Sequence, residues 1–164
     1  MMNAMTIRDA HPDETRTIAA LWHDGWHDAH AVHVPEALVR LRTPQSFLER
    51  TATHLDAMRV IDLSGSPAGF HYLAGDELDQ FYVAAEARGT GAAASLIADA
   101  EQRLREAGIG NAWLACAIGN IRAARFYEKS GWRRNGTMTF NAETSAGPLP
   151  LEAWRYEKRL ASRD

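Results

Sequence analysis

The order of apolar runs in this chain predicts an α+β domain built around a mixed sheet. Aromatic and β-branched runs alternate with stretches of helical period in the order β-α-α-β-β-β-α-β-α-β-β. Two of the strand-to-helix joints carry strong local signals, a glycine loop at Arg88–Ala93 and a capping residue at Asn120. The length of 164 residues, 46% of them hydrophobic and 24% charged, suits one domain over residues 1–164 with a substantial core.

Each element follows from its residues. Met1, Met2 and Met5 leave the start of translation open, and residues 1–4 are expected to fray. Thr6-Ile7-Arg8 begins a first strand. Pro12 opens a helix, with Asp13 and Glu14 favourable in its first turn and Ile18, Leu21, Trp22 and Trp26 on its buried face. Ala29 to Pro35 reads as a loop or a broken helix, and Glu36 to Leu41 as a short helix. Pro44 starts another, which sets Phe47, Leu48, Thr51, Leu55 and Met58 on one side. Strands are expected near 58–63 and 68–74, joined by a turn at Ser64-Gly65-Ser66-Pro67. A turn at Ala74-Gly75-Asp76 leads into the strand Leu78–Val83. The next helix runs from near Gly91 to Gly108 on Leu96, Ile97, Ala100 and Leu104, followed by a strand at Ala112–Ala117. Asn120 then caps a helix that Gly131 ends, and strands near 132–140 and 149–159 close the chain.

Composition narrows the function. A net charge of −3 offers no electrostatic basis for binding nucleic acid or an anionic membrane. No apolar run has the length of a membrane span, and the N-terminus lacks a secretory signal pattern. Cys116 is the one cysteine, so no intrachain disulfide can form; it reads as a small core residue, and a reducing cytoplasm is the expected compartment.

The segment Arg88-Gly89-Thr90-Gly91-Ala92-Ala93 stands between a strand and a helix. Glycines there let the backbone approach a diphosphate, and the free N–H groups of the helix start favour negative charge. The loop is not a Walker loop, because no Gly-Lys-Ser/Thr follows. It is not a dinucleotide fingerprint either, because Ala94 occupies the third glycine position. Taken alone, it also suits a strand-to-helix joint that merely needs small residues.

A second segment adds to the first: Asn120-Ile121-Arg122-Ala123-Ala124-Arg125-Phe126-Tyr127-Glu128-Lys129-Ser130-Gly131-Trp132. The pattern Arg-x-x-Gly-x-Ala, followed at about thirty residues by Asn-x-x-Ala-x-x-Phe-Tyr-x-x-x-Gly-Trp, resembles the GCN5-related N-acetyltransferase (GNAT) superfamily. The likeness runs from Glu77 to Trp132, and its one mild departure is Ala93, where many members carry glycine. The resemblance implies an acetyltransferase-like fold, with a mixed, mostly antiparallel sheet of six to seven strands flanked by helices. It implies acetyl-CoA as cosubstrate, no metal, and transfer of an acetyl group to an amine. The backbone of Phe81, Tyr82 and Val83 would line the pantetheine. Arg88, Gly89, Thr90, Gly91, Ala92 and Ala93 would hold the diphosphate, and Asn120 would reach the pantetheine arm while also serving as an N-cap. Arg122, Arg125 and Lys129 are candidates for charge near the 3′-phosphate, although cations on a helix surface are most often only solvated.

The chemistry asks for a base and an acid. A lysine-like amine with a pKa of about 10.4 is neutral roughly once in 2,500 molecules at pH 7, about 4.6 kcal/mol uphill. A proton acceptor near the amine removes that obstacle. Glu77, Asp79, Phe81 and Val83 alternate onto one strand face, and either carboxylate is a candidate base, although a strand-start carboxylate also suits a solvated edge. Tyr127 occupies the position of the tyrosine that, in many members, protonates the departing thiolate; packing beneath the sheet is its structural alternative.

Of His23, His27, His30 and His33, the first three stand at i, i+4 and i+7 on one helical face, and the spacing breaks before Pro35. With no cysteine and no His-Glu-x-x-His pattern they are a poor metal set, and with Trp26 they are expected to wall the acceptor pocket. The expected partner is a small-molecule amine, with no nucleic acid and no membrane; a homodimer is compatible with the chain. Asp76, Glu77 and Asp79 suggest a cationic acceptor such as a polyamine, an amino sugar or an amino-acid amine. Other readings are transfer to a protein amine, a non-catalytic acyl-CoA sensor, and an adaptor with a vestigial loop.

Overall fold

In the computed structural model, which describes residues 4–160, seven strands form one sheet in the order β1-β2-β3-β4-β5-β7-β6. The strands are β1 Met5–Asp9, β2 Met58–Leu63, β3 Ser66–Ala74, β4 Glu77–Val83, β5 Asn111–Ala117, β6 Arg133–Ala142 and β7 Leu149–Arg159. Every neighbouring pair is antiparallel except β4 and β5. The helices are α1 Thr15–His30, α2 Glu36–Leu41, α3 Pro44–His54, α4 Ala92–Glu106 and α5 Ile121–Lys129. The fold class expected from the sequence is therefore present, with three helices between β1 and β2 where the expected order counted two. The fraying expected of Met1 to Asn3 lies outside the described residues, while the Ala4 carbonyl accepts the Ser64 N–H at 2.9 Å.

Two boundaries differ from the sequence reading. The helix begun by Pro44 ends at His54, and Leu55–Ala57 form a 3-10 turn. Met58 is consequently buried as the first residue of β2, although its helical spacing set it on the helix face. β3 starts at Ser66 rather than 68, because Ser64 and Gly65 (φ 55° and 85°) close a tight hairpin by themselves. Pro67, within β3, is tolerated beside a bulge where the register moves from Ile61↔Gly69 to Asp62↔Pro67.

The helix ends are built as their residues dictate. Thr43 caps α3 by accepting the Ser46 N–H at 3.1 Å, and Asn120 caps α5 by accepting that of Ala123 at 3.3 Å. Gly131 (φ 93°) ends α5 with a paired 6→1 and 5→2 closure, Trp132 N–H to Tyr127 C=O and Gly131 N–H to Glu128 C=O. Both sheet faces are covered. Ile18, Trp22, Trp26 and Phe47 of α1 and α3 pack on Phe70 and Tyr72. On the other face, Ile97, Leu104 and Tyr127 of α4 and α5 pack on Leu78, Leu114 and Tyr156.

Candidate active site

β4 and β5 are paired in register only at Glu77↔Trp113. From that point the two parallel strands diverge, so the inner backbone edges of Phe81–Val83 and Leu114–Ala117 lack a neighbouring strand. A crevice at the carboxyl ends of parallel strands is where α/β sheets take ligands. Here it opens into a cavity of about 1160 Å³. Glu77, Asp79, Phe81, Tyr82, Val83, Arg88, Gly89, Gly91, Ala93, Asn120 and Tyr127 all line it.

The two motifs meet at its mouth because each directly follows one of the diverging strands. Gly89 and Gly91 both adopt positive φ, 80° and 89°, and Gly91 is the N-cap of α4. A side chain at Gly89 would meet no atom within 4 Å, and one at Gly91 would meet only the Met5 Cε at 3.9 Å, so the loop borders open space. Thr90 and Ala92 have a different role. The Thr90 hydroxyl donates to the Ala87 carbonyl and accepts the Ala92 N–H, and the Ala92 side chain is buried in the core. Arg88 and Arg122 both pair with Asp28 of α1, at 3.0 and 3.3 Å. Arg125 and Lys129 do not line the cavity.

The strict alternation expected along β4 is broken. Its register with β3 moves from Tyr72↔Gln80 to Leu73↔Leu78, which makes Asp79 the extra residue of a bulge. Leu78 and Phe81, three apart, therefore pack into the same core beneath α4 and α5. Asp79 faces the other way and hydrogen-bonds Tyr72, and Glu77 is influenced by Asp79, Asp76 and Arg155 rather than packed with Phe81 and Val83. Bulges re-aim side chains next to binding sites. Glu77 is half-buried, and burial, followed by the charges of Asp79 and Asp76, pushes its carboxyl up to about 7; Arg155 opposes the shift. Asp76 is engaged by the Trp113 indole N–H at 3.0 Å.

Tyr127 is both a packing residue and a cavity residue. Its ring packs against Phe81, Trp132 and Tyr156, while the residue also lines the cavity. Burial raises its phenol well above the ordinary value, so it keeps its proton at every working pH. Phe126 packs on Phe81 in the same aromatic cluster. Burial also pushes the Cys116 thiol up to about 12, which leaves it inert as a nucleophile.

Of the four histidines, His30 and His33 line the cavity with Trp26, whereas His23 and His27 do not. His23 bonds Asp24 and His27 bonds the Arg42 carbonyl. Burial lowers His30 to about 4, so it is neutral. Among the described residues no group of three His, Cys, Asp or Glu is placed to hold a metal ion. The sequence reading missed Arg42, Arg50, His54 and Tyr72 on the cavity wall. The available signal was Arg50, which follows Phe47 by three residues on the apolar face of α3.

Comparison with known proteins agrees with this geometry. The chain is 41% identical over 64 residues to uncharacterized N-acetyltransferases of Mycobacterium bovis and Mycobacterium tuberculosis; the match covers 39% of this chain and 41% of those relatives. In fold it is similar to a GCN5-related N-acetyltransferase of Rhodopseudomonas palustris (TM-score 0.74, 21% identity, 97% of this chain and 98% of that one). It is also similar to yncA of Salmonella typhimurium, solved with its cofactor acetyl-CoA (TM-score 0.69, 15% identity, 98% and 96%). The profile of the Acetyltransferase (GNAT) family matches residues 19–132, most of the chain, and the protein belongs to that family.

Proposed function

We propose that this protein transfers an acetyl group from acetyl-CoA to a primary amine of a small molecule, by direct attack within a ternary complex. The observation that carries the reading is the convergence of four features in one crevice. These are the glycine loop, two unpaired strand edges, a carboxyl raised to about 7 and a protonated phenol. When bound, acetyl-CoA supplies the thioester whose carbonyl carbon takes the new C–N bond as C–S breaks. The open cradle at Gly89 and Gly91 fits a diphosphate, with Arg88 and Ala93 alongside. The free backbone edge of Phe81, Tyr82 and Val83 fits the amides of a pantetheine arm. Capping occupies the Oδ1 of Asn120 and leaves its amide N–H groups for the same arm. Glu77 takes the amine proton, directly or through water, with Asp79 as the second candidate. Tyr127 donates a proton to the departing sulfur. The single buried thiol fits a cytoplasmic setting.

Calorimetric titration with acetyl-CoA, followed by thiol release across a panel of amines, tests the proposal. Micromolar binding with amine-dependent thiol release is the expected result. Binding without release for any amine would leave an acyl-CoA sensor, and absence of binding would remove the crevice assignment.

A further inference from the structure

The cavity wall also carries two guanidinium groups, of Arg42 and Arg50, that the proposed acetyl transfer does not use. Arg42, which directly follows α2, is 4% exposed. Its Nη1 donates to the Glu143 carbonyl at 2.6 Å, and its Nε has no partner. Arg50 of α3 lies over the Trp22 ring at 4.2 Å and the Phe47 ring at 5.5 Å, and its Nε and Nη1 are buried without partners. Among the described residues neither arginine forms an ion pair. Glu143 and Asp79 act on Arg50 only from a distance, and Glu143 is turned to His54 at 3.7 Å. Both arginines line the cavity.

Two buried cations without a bound counter-charge are costly, and ring stacking offsets only part of that cost. Burial and then Arg50 push Arg42 down to about 10, and burial lowers Arg50 as well. A guanidinium is protonated in proteins at neutral pH, so the wall stays cationic. Such a pair is relieved by an oxyanion that accepts from both forks. Asp79, two residues from Glu77 on β4, lies within electrostatic reach of Arg50, and Glu77, Asp79, Arg42 and Arg50 all line the one cavity.

We infer that the acceptor carries a carboxylate or similar oxyanion beside its amine, held by Arg42 and Arg50 while Glu77 faces the nitrogen. This rests on the proposed acetyl transfer and selects, from the cationic acceptors that the acidic residues suggested, the amino-acid amine. The arginines make polyamines poor substrates, because a second cation would meet them.

The test compares L-methionine with 3-(methylthio)propylamine and L-phenylalanine with phenethylamine, and adds 1-aminoethylphosphonate beside L-alanine to distinguish the two oxyanions. Thiol release is measured alongside quenching of tryptophan fluorescence in the CoA-loaded protein, since Trp22 and Trp26 flank the two arginines. The oxyanion-bearing member of each pair should give at least 10-fold higher kcat/KM. Arg50→Met should raise its KM 10-fold or more, with acetyl-CoA affinity unchanged, and Arg50→Lys should partly restore it. Quenching by amino acids that Arg50→Met abolishes, without thiol release, would uphold the anion site and overturn the transfer reading. Turnover of the carboxylate-free amines at equal or higher efficiency would uphold transfer and overturn the anion site. If no probe bound or reacted, the inference would fall as well. The wild-type comparison stands even if Arg50→Met does not fold.

Discussion

At the level of single residues, β4 shows how one displaced side chain sets a proton balance. Asp79 sits in a bulge next to Glu77 and, after burial, is the largest influence that raises the Glu77 carboxyl to about 7. A base must be deprotonated to act, so kcat/KM should rise with pH through a limb centred near 7. Asp79→Asn should shift that limb to lower pH, and Arg155→Met should shift it upward. Glu77→Gln should remove the limb, costing most at neutral pH and recovering part of its activity near pH 10, where the amine deprotonates by itself. Rate profiles between pH 5 and 10 decide this; profiles unchanged in all three variants would dismiss Glu77 as base. Stability has the opposite sign. The folded protein holds the Glu77 proton above the usual carboxylate range, so this contribution is complete at acid pH and is lost as pH rises through 7. Tyr127→Phe removes only a hydroxyl and should lower turnover by roughly 10- to 1,000-fold with little change in acetyl-CoA affinity. Unchanged turnover, with chemistry rate-limiting, would leave Tyr127 as a packing residue.

At the level of elements, the loop before α4 and the end of α1 meet across the crevice mouth. Gly91 holds a φ of 89° at the N-cap and faces open space. Gly91→Glu would place a negative side chain in the diphosphate cradle, and calorimetry should show loss of acetyl-CoA binding in a protein that still folds. Asp28 is the other control point, because it holds both Arg88 and Arg122. These pairs are exposed, and such pairs contribute about 0–1 kcal/mol. Asp28→Asn should therefore tighten acetyl-CoA binding by no more than about fivefold. Weaker binding would mean that Asp28 orients the arginines rather than competing for them. Close packing limits change elsewhere on α1: a Cβ at Gly25 would stand 2.7 Å from the Tyr82 Cδ1.

At the level of the whole molecule, the sheet is two antiparallel halves joined at one parallel pair, Glu77↔Trp113. A ligand that bonds both free edges would tie the halves together. Saturation at about 100 times Kd adds about 2.7 kcal/mol, which corresponds to a rise in Tm of roughly 5–10 °C for a chain of this size. Hydrogen exchange should slow most at Phe81–Val83 and Leu114–Ala117, the segments that line the divergence. Uniform slowing, or slowing confined to α1, would place the ligand elsewhere.

The sequence by itself determined the order of the strands along the chain, the start of α3 at Pro44, the cap at Asn120, the helix ends at Gly108 and Gly131, and the two motifs that border the crevice. These depend on neighbours within a few positions, where backbone preference and side-chain chemistry act locally. It could not place Glu77 and Asp79 correctly. Period two assigned them to the face of Phe81 and Val83, and only pairing with β3 creates the bulge that breaks the alternation and brings Asp79 to Tyr72. Nor could it separate Thr90 and Ala92, which hold the loop together, from Gly89 and Gly91, which border the ligand space. Arg42 and Arg50 drew no reading from the sequence; the tertiary structure packs them against Trp26, Trp22 and Phe47. Charge burial is a property of what surrounds a side chain, and those surroundings come from segments distant in sequence, so only the tertiary structure decided where the buried cations lie.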